Sequence, residues 1–266
     1  MANRRWQRNI KGMCMDREQI YKSLKSSFSL PSGDAVFRHA LEQVTGTRKN
    51  DKQWIKANFS RLIDDIQIEA RRYYLQLEEP ATAAVLRATF SELFPQRGER
   101  DQFLDILSSA AHPLARFYLG IIQGRKPRAG KAFEQSIYTL FTTLDYPYTS
   151  QPIINGQPDF LLPGVKHYRE NAMDCIIFTV KRTLRERWRQ IISEGTRGHM
   201  FFLATIDEEV SKRDLPEMLH NRIYLVMPES IRKSVYPDQK NVISFEIFFR
   251  DYLDPAMKRW KDNAVI

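Results

Sequence analysis

Four side chains in the C-terminal half of the chain have the types and spacing to act on a phosphodiester. Asp159 stands in Gln-Pro-Asp-Phe, Lys181 ends the apolar run Cys175–Lys181, and Glu194 follows thirteen residues later. Glu134 lies upstream on an amphipathic segment. Strand periodicity puts Cys175, Ile177, Thr179 and Lys181 on one face and Ile176, Phe178 and Val180 on the other. Lys181 then sits at the edge of a buried strand, where a lone ammonium is costly unless an anion is nearby. Asp159, on a neighbouring strand, is the candidate anion. Phosphodiester hydrolysis needs an activated water, neutralised charge at the phosphate and a group that positions the attack. Hard divalent ions such as Mg²⁺ are held by one or two carboxylates with phosphate and water, so a carboxylate pair beside a lysine supplies the set. The same residues also fit plainer roles: a turn aspartate after Pro158, a strand-end surface lysine, and an exposed helix carboxylate at Glu134.

The elements that must position these groups change character along the chain. Up to residue 124 the pattern is helical, over Arg17–Phe28, Asp34–Val44 and the longer Gln53–Leu77. Trp54, Ile55, Phe59, Leu62, Ile63 and Ile66 form one broad apolar stripe. Pro80 and the stretch Pro95–Gly98 punctuate this region. Gln123–Lys131 reads as a basic connector. Beyond it, Lys131–Leu144 is an amphipathic helix with Phe133, Ile137, Leu140, Phe141 and Leu144 inward. Strand-like segments follow at Pro158–Leu162, Cys175–Lys181, His199–Thr205 and Arg222–Pro228, with helical patterns at Thr183–Glu194 and Ser244–Leu253. Strands alternating with helices predict an α/β fold, a mixed central sheet flanked by helices. The expected organisation is a helical region over residues 1–124 and a core over residues 125–266, packed as one compact unit.

Charge and composition narrow the function classes. The 41 Lys and Arg against 32 Asp and Glu give a net charge of +9, which favours a polyanionic partner, nucleic acid before membrane. Two cysteines, Cys14 and Cys175, cannot make a disulfide framework, and no Cys/His cluster has zinc-ligand spacing. The first residues carry no apolar core segment of secretory type, and no run approaches the length of a membrane span. A cytoplasmic protein without membrane attachment is expected. Ala129–Lys131 lacks the spacing of a phosphate-binding loop, so no nucleotide cofactor is expected. The five histidines show no paired spacing.

The order "PDFLLP", an apolar strand ending in "VK", then "RERWRQIISE" resembles the EcoRII and SsoII group of type II restriction endonucleases, which have the PD-(D/E)XK nuclease fold. "RKPRAGKAFE" is similar to the segment that opens the catalytic domain in that group, and the resemblance spans about Gly124 to Leu253. One departure matters. The acid usual in the wider fold family two positions before the lysine is replaced by Thr179. In the resembled group the following helix supplies it, which here implies Glu194. The resemblance therefore implies Asp159 and Glu194 as metal ligands, Lys181 as the group that positions or activates water, Glu134 as a further acid near the metal, and Mg²⁺ as cofactor.

From Lys181 to Gly198 there are six positive and two negative side chains, net +4. A solvated helix face would interleave opposite charges at three- and four-residue spacing, whereas Arg185, Glu186 and Arg187 are consecutive. Arg reads guanine through O6 and N7, and Glu accepts from the cytosine amino group. The triplet suits neighbouring G·C pairs, which is its role in the resembled enzymes. Arg182 is the candidate backbone contact, and Trp188 reads as the core anchor of that helix.

The expectation is a Mg²⁺-dependent homodimer that cuts double-stranded DNA at a short near-palindromic site with a CC…GG frame. Its rivals are a structure- or damage-directed nuclease of the same fold and a DNA-binding protein without catalysis. Trp54 and Phe59 are candidates for stacking a flipped base, against the alternative that both belong to the core stripe.

Overall fold

The structure, a computed structural model, describes residues 16–94, 100–154, 157–184, 188–189 and 200–266. It divides into two compact units, Met1–Val36 with Arg71–Arg128, and Phe37–Ala70 with Ala129–Ile266. Residues 37–70, expected with the N-terminal helices, group with the sheet. Their apolar stripe explains this: Ile55, Phe59, Leu62 and Ile63 are buried in one cluster with Phe133, Phe141 and Phe245.

The first unit is helical. Helix α1 (Arg17–Ser27) begins at a capping box, in which the Asp16 side chain and Gln19 satisfy each other's end of the first turn. Helix α2 (Gly33–Thr45) starts in this unit and ends in the other. So does α5 (Arg100–Thr143), whereas α4 (Phe59–Leu93) starts in the second unit and ends in the first, and α3 (Lys52–Ala57) lies wholly in the second. Ile20 and Leu24 of α1 pack with Val85 of α4 and with Ala110, Phe117 and Ile121 of α5.

Two sequence expectations are corrected here. Pro80 does not interrupt α4, and Gln123–Lys131 is not a connector but part of α5, which carries Pro113 and Pro127 internally. Tertiary ties outweigh local propensity. Buried Glu78 of α4 is bound by the Arg125 guanidinium, and the Arg128 guanidinium lies 5.4 Å from the Tyr74 ring centre and donates to the Gly124 carbonyl at 3.0 Å.

In the second unit, six strands among the described residues form one sheet in chain order: β1 (Thr149–Ser150), β2 (Phe160–Leu162), β3 (Ile176–Val180), β4 (Phe201–Ala204), β5 (Ile223–Met227) and β6 (Val242–Ser244). β1, β2 and β3 are antiparallel; β3 to β6 are parallel. The sheet is mixed, as expected, and both faces are covered, which is why its strands are apolar throughout. On one face Phe160, Phe178, Phe202 and Val226 pack with Phe133 and Phe141 of α5 and with Phe245, Phe248 and Trp260 from the C-terminal helices. On the other, Leu161, Ile177, Leu203 and Leu225 pack with Trp188 and Tyr236. The helical expectation for Ser244–Leu253 resolves into a capped turn, Phe245–Phe248, with the Ser244 hydroxyl accepting from the Ile247 N–H, and a π-helical turn, Phe249–Leu253. Among the described residues no helix is long and apolar enough to cross a membrane.

Candidate active site

The antiparallel register of β2 and β3 pairs Phe160 with Phe178. The residue before β2, Asp159, therefore lies beside the last residues of β3. Its Oδ2 accepts the Val180 N–H at 2.7 Å and stands 3.4 Å from the Lys181 Nζ. Both backbones are fixed from outside the pair: the Gln151 N–H donates to the Asp159 carbonyl at 3.0 Å, and the Lys181 N–H to the Ala204 carbonyl of β4 at 2.9 Å. The carboxylate is shielded, with 12% of its side chain exposed, while the lysine reaches solvent at 43%. An acid held in a strand-end pocket and a mobile ammonium beside it make an electrostatic socket for an anion and a cation together.

Glu134 joins them from α5. Its neighbours Phe133 and Ile137 are fully buried, and this helix face brings Glu134 to the sheet's edge. Burial pushes its carboxyl above the usual range and the charge of Asp159 pushes it further, while Lys181 and Lys131 pull it back. Two carboxylates, Asp159 and Glu134, thus act on one another across the end of the sheet, with Lys181 and Lys131 partly offsetting their charge. That donor set fits a hard divalent cation. Among the described residues no group of three His, Cys, Asp or Glu forms a complete metal cage. Glu194, the third implied acid, lies outside the described residues, as do Arg185, Glu186 and Arg187. Thr179, at the position of the fold family's usual acid, is buried.

The approach to the basic segment is held by residues that sequence reasoning did not single out. Buried Asp207 accepts the Leu184 N–H at 2.7 Å and the Glu209 N–H at 3.0 Å, and the Thr205 hydroxyl donates to the Arg182 carbonyl at 3.3 Å. These two residues follow β4 and fix how the chain leaves Lys181. Their signal was an acid two positions past an apolar strand. Arg182 is exposed, as a backbone contact would have to be. Trp188 is fully buried and donates its indole N–H to Asp214 at 3.2 Å, so it is the anchor it was expected to be. Arg189 pairs with Asp214 and Glu217, each at 3.5 Å.

Trp54 and Phe59 part company. Phe59 is fully enclosed, its ring 4.9 Å from the rings of both Phe245 and Phe249. Nothing can stack on it without opening the core, which assigns it to packing. Trp54 is half-buried on α3, with the Arg48 guanidinium 5.4 Å from its ring centre.

Known proteins resemble this chain in sequence and in fold. The family model described as EcoRII C terminal matches residues 96–249. The chain is 28% identical over 215 residues to the type II restriction enzyme EcoRII of Escherichia coli, covering 78% of this chain and 46% of that protein. It is 27% identical over 155 residues to the type II restriction enzyme SsoII of Shigella sonnei, covering 53% of this chain and 50% of that one. The chain therefore spans about half the length of the curated relatives it matches. Its fold is that of metal-depleted Ecl18kI solved with uncleaved, modified DNA: TM-score 0.71 at 21% identity, over 92% of this chain and 85% of that one. With a match across more than half its length, and with the ordered Asp159–Lys181 pair inside that match, the chain belongs to the EcoRII C-terminal family.

Proposed function

We propose that this chain is a type II restriction endonuclease. It hydrolyses phosphodiester bonds of double-stranded DNA with Mg²⁺, as a cytoplasmic homodimer, at a short near-palindromic site with a CC…GG frame. The observation that carries the reading is the Asp159 carboxylate beside the Lys181 ammonium, with Glu134 near enough to feel the charge of both. Membership of the EcoRII C-terminal family supports it.

Asp159 and Glu194 would hold the ion, with Glu134 as a further acid close to it. The ion, when bound, supplies Lewis acidity and a water acidic enough to act as nucleophile. The chain's own contribution is placement. Asp159 is fixed by the Val180 N–H, so its carboxylate cannot swing away. Lys181 is fixed through its backbone, and its half-exposed ammonium beside Asp159 would orient water and offset charge as it builds on the phosphate. Arg185, Glu186 and Arg187 read the G·C pairs of the frame, and Arg182 holds a phosphate. Trp54 is the remaining candidate for stacking a displaced base.

Digestion of a plasmid of known sequence, with and without Mg²⁺, followed by sequencing of the ends tests all of this together. Ends confined to CC…GG sites are expected. Cleavage without site preference would replace the reading with a structure-directed nuclease, and binding without cleavage with a non-catalytic DNA-binding protein.

A further inference from the structure

Among the described residues, helix α5 has one face without a partner in the first unit. Leu104, Leu107, Tyr118, Leu119 and Ile122 are 43–52% exposed, and Ser108, Ala111 and Ala115 between them are exposed as well. At 100° per residue all eight fall within roughly 60° of one line along the helix, and the stripe is about 27 Å long. The opposite face, carrying Ala110, Phe117 and Ile121, is the buried one. A continuous apolar stripe on an otherwise charged helix marks an interaction surface.

The stripe is symmetric about position 113. Leu104 and Ile122 are equidistant from it, as are Leu107 and Leu119, Ser108 and Tyr118, and Ala111 and Ala115. A second α5 running antiparallel would set large side chains against large ones at both ends and alanine against alanine in the middle, where two backbones must approach most closely. The end charges lean the same way: exposed Arg100, Asp101 and Asp105 leave the N-terminal end net negative, and exposed Lys126 leaves the C-terminal end net positive, since Arg125 is already held by Glu78. An antiparallel pairing sets ends of opposite net charge together, with Arg100 beside Lys126 the one like-charged pair, whereas a parallel one sets ends of like net charge together. Residue i meeting j while j meets i is the requirement of a two-fold interface.

We infer that the exposed stripe Leu104–Ile122 of α5 is a self-association surface, closed by the same stripe of a second copy in antiparallel register. This rests on the homodimer reading above and assigns it a surface.

Sedimentation of the full chain, alone and with Leu104→Glu or Leu119→Glu, tests it. Glutamate is tolerated on an exposed helix face, and an unchanged far-ultraviolet circular dichroism spectrum checks the fold. A wild-type dimer that each variant shifts to monomer is the expected result. Dimers that survive in both variants would overturn the seam and leave the homodimer reading standing; a wild-type monomer would overturn both.

Register has its own test in a Cys14→Ser background, since Cys175 is buried. Ala111→Cys mixed with Ala115→Cys should form a disulfide-linked dimer faster than either variant alone. Equal or faster cross-linking of the separate variants would overturn the antiparallel arrangement.

Discussion

Strand β3 is bracketed by two aspartates with opposite circumstances. Asp174, just before it, is saturated: Oδ1 accepts from Arg259 at 2.6 Å, and Oδ2 lies 2.8 Å from His167 Nε2 and 3.1 Å from the Trp260 indole nitrogen. Burial alone would raise its carboxyl, but the bonds from His167 and Arg259 outweigh burial and hold it below the ordinary range. Asp159, beside the strand's far end, has one backbone donor and one lysine at long range, and its neighbour Glu134 is pushed upward in part by its charge. A carboxylate whose lone pairs are filled by fixed donors is a fastening. One with few fixed donors and another acid in its field has lone pairs to offer a cation.

Substitution should separate the two. Asp159→Ala and Lys181→Ala should each lower Mg²⁺-dependent cleavage by on the order of 10²–10³-fold or more, because each removes charge management at the reacting phosphate. Specific DNA binding and the thermal midpoint should stay near wild type, and Asp159→Ala should bind DNA more tightly in chelator, having lost a carboxylate that faces phosphate. Near-normal cleavage by either variant would end the catalytic assignment.

Asp174→Ala should do the reverse. It should cost about 1–3 kcal/mol in urea denaturation, because it removes the shielded carboxylate that His167 and Arg259 bind, although the Trp260 indole N–H keeps the Asp174 carbonyl at 3.1 Å, yet preserve cleavage per folded molecule. The folded-state pKa of Asp174 is depressed, so its contribution is present above the unfolded value and lost as pH falls through the folded one. The variant's deficit should therefore shrink in acid. A deficit that does not vary with pH would mean the ion pairs are incidental.

The smallest effect belongs to Glu134→Gln. Its pKa is raised in the folded protein, so the charged form is disfavoured there and stability is reduced above that pKa. The glutamine variant should gain slightly in stability near neutral pH in the absence of metal. It should also flatten the acidic limb of the cleavage profile, which in the wild type should begin at a higher pH than an ordinary carboxylate gives. A variant less stable than wild type in metal-free buffer would show that Glu134 is a packing residue.

The meeting of Asp159 and Lys181 was legible in the sequence because strand alternation and a Pro-Asp before an apolar run put both residues at adjacent strand ends. Trp188 was legible from its place in an amphipathic helix. Phe59 was ambiguous for a physical reason: an aromatic in an apolar stripe is equally suited to a core and to a base, and only its enclosure by Phe245 and Phe249, nearly two hundred residues away, decides. The helicity of Gln123–Lys131 was hidden because Glu78 and Tyr74, which hold Arg125 and Arg128, lie some fifty residues upstream. Strand β6 escaped because Val242–Ser244 runs without a break into the helical Phe245–Phe248. Asp207 escaped because an acid just past an apolar strand does not by its position say which backbone N–H groups it will meet.

The start of α4 is closed by a distant residue: the Ser60 N–H and hydroxyl donate to Glu246 at 2.8 and 2.5 Å. During synthesis the chain emerges from its N-terminus and its units fold as their parts become available. Every segment of the helical unit has been made by residue 128. Residues 37–70 by then have their hydrophobic stripe exposed and no sheet to cover it, and Ser60 waits for a carboxylate 186 positions away. The sheet-containing unit is therefore completed late, with its earliest-made helices held unsatisfied until residue 246 has left the ribosome.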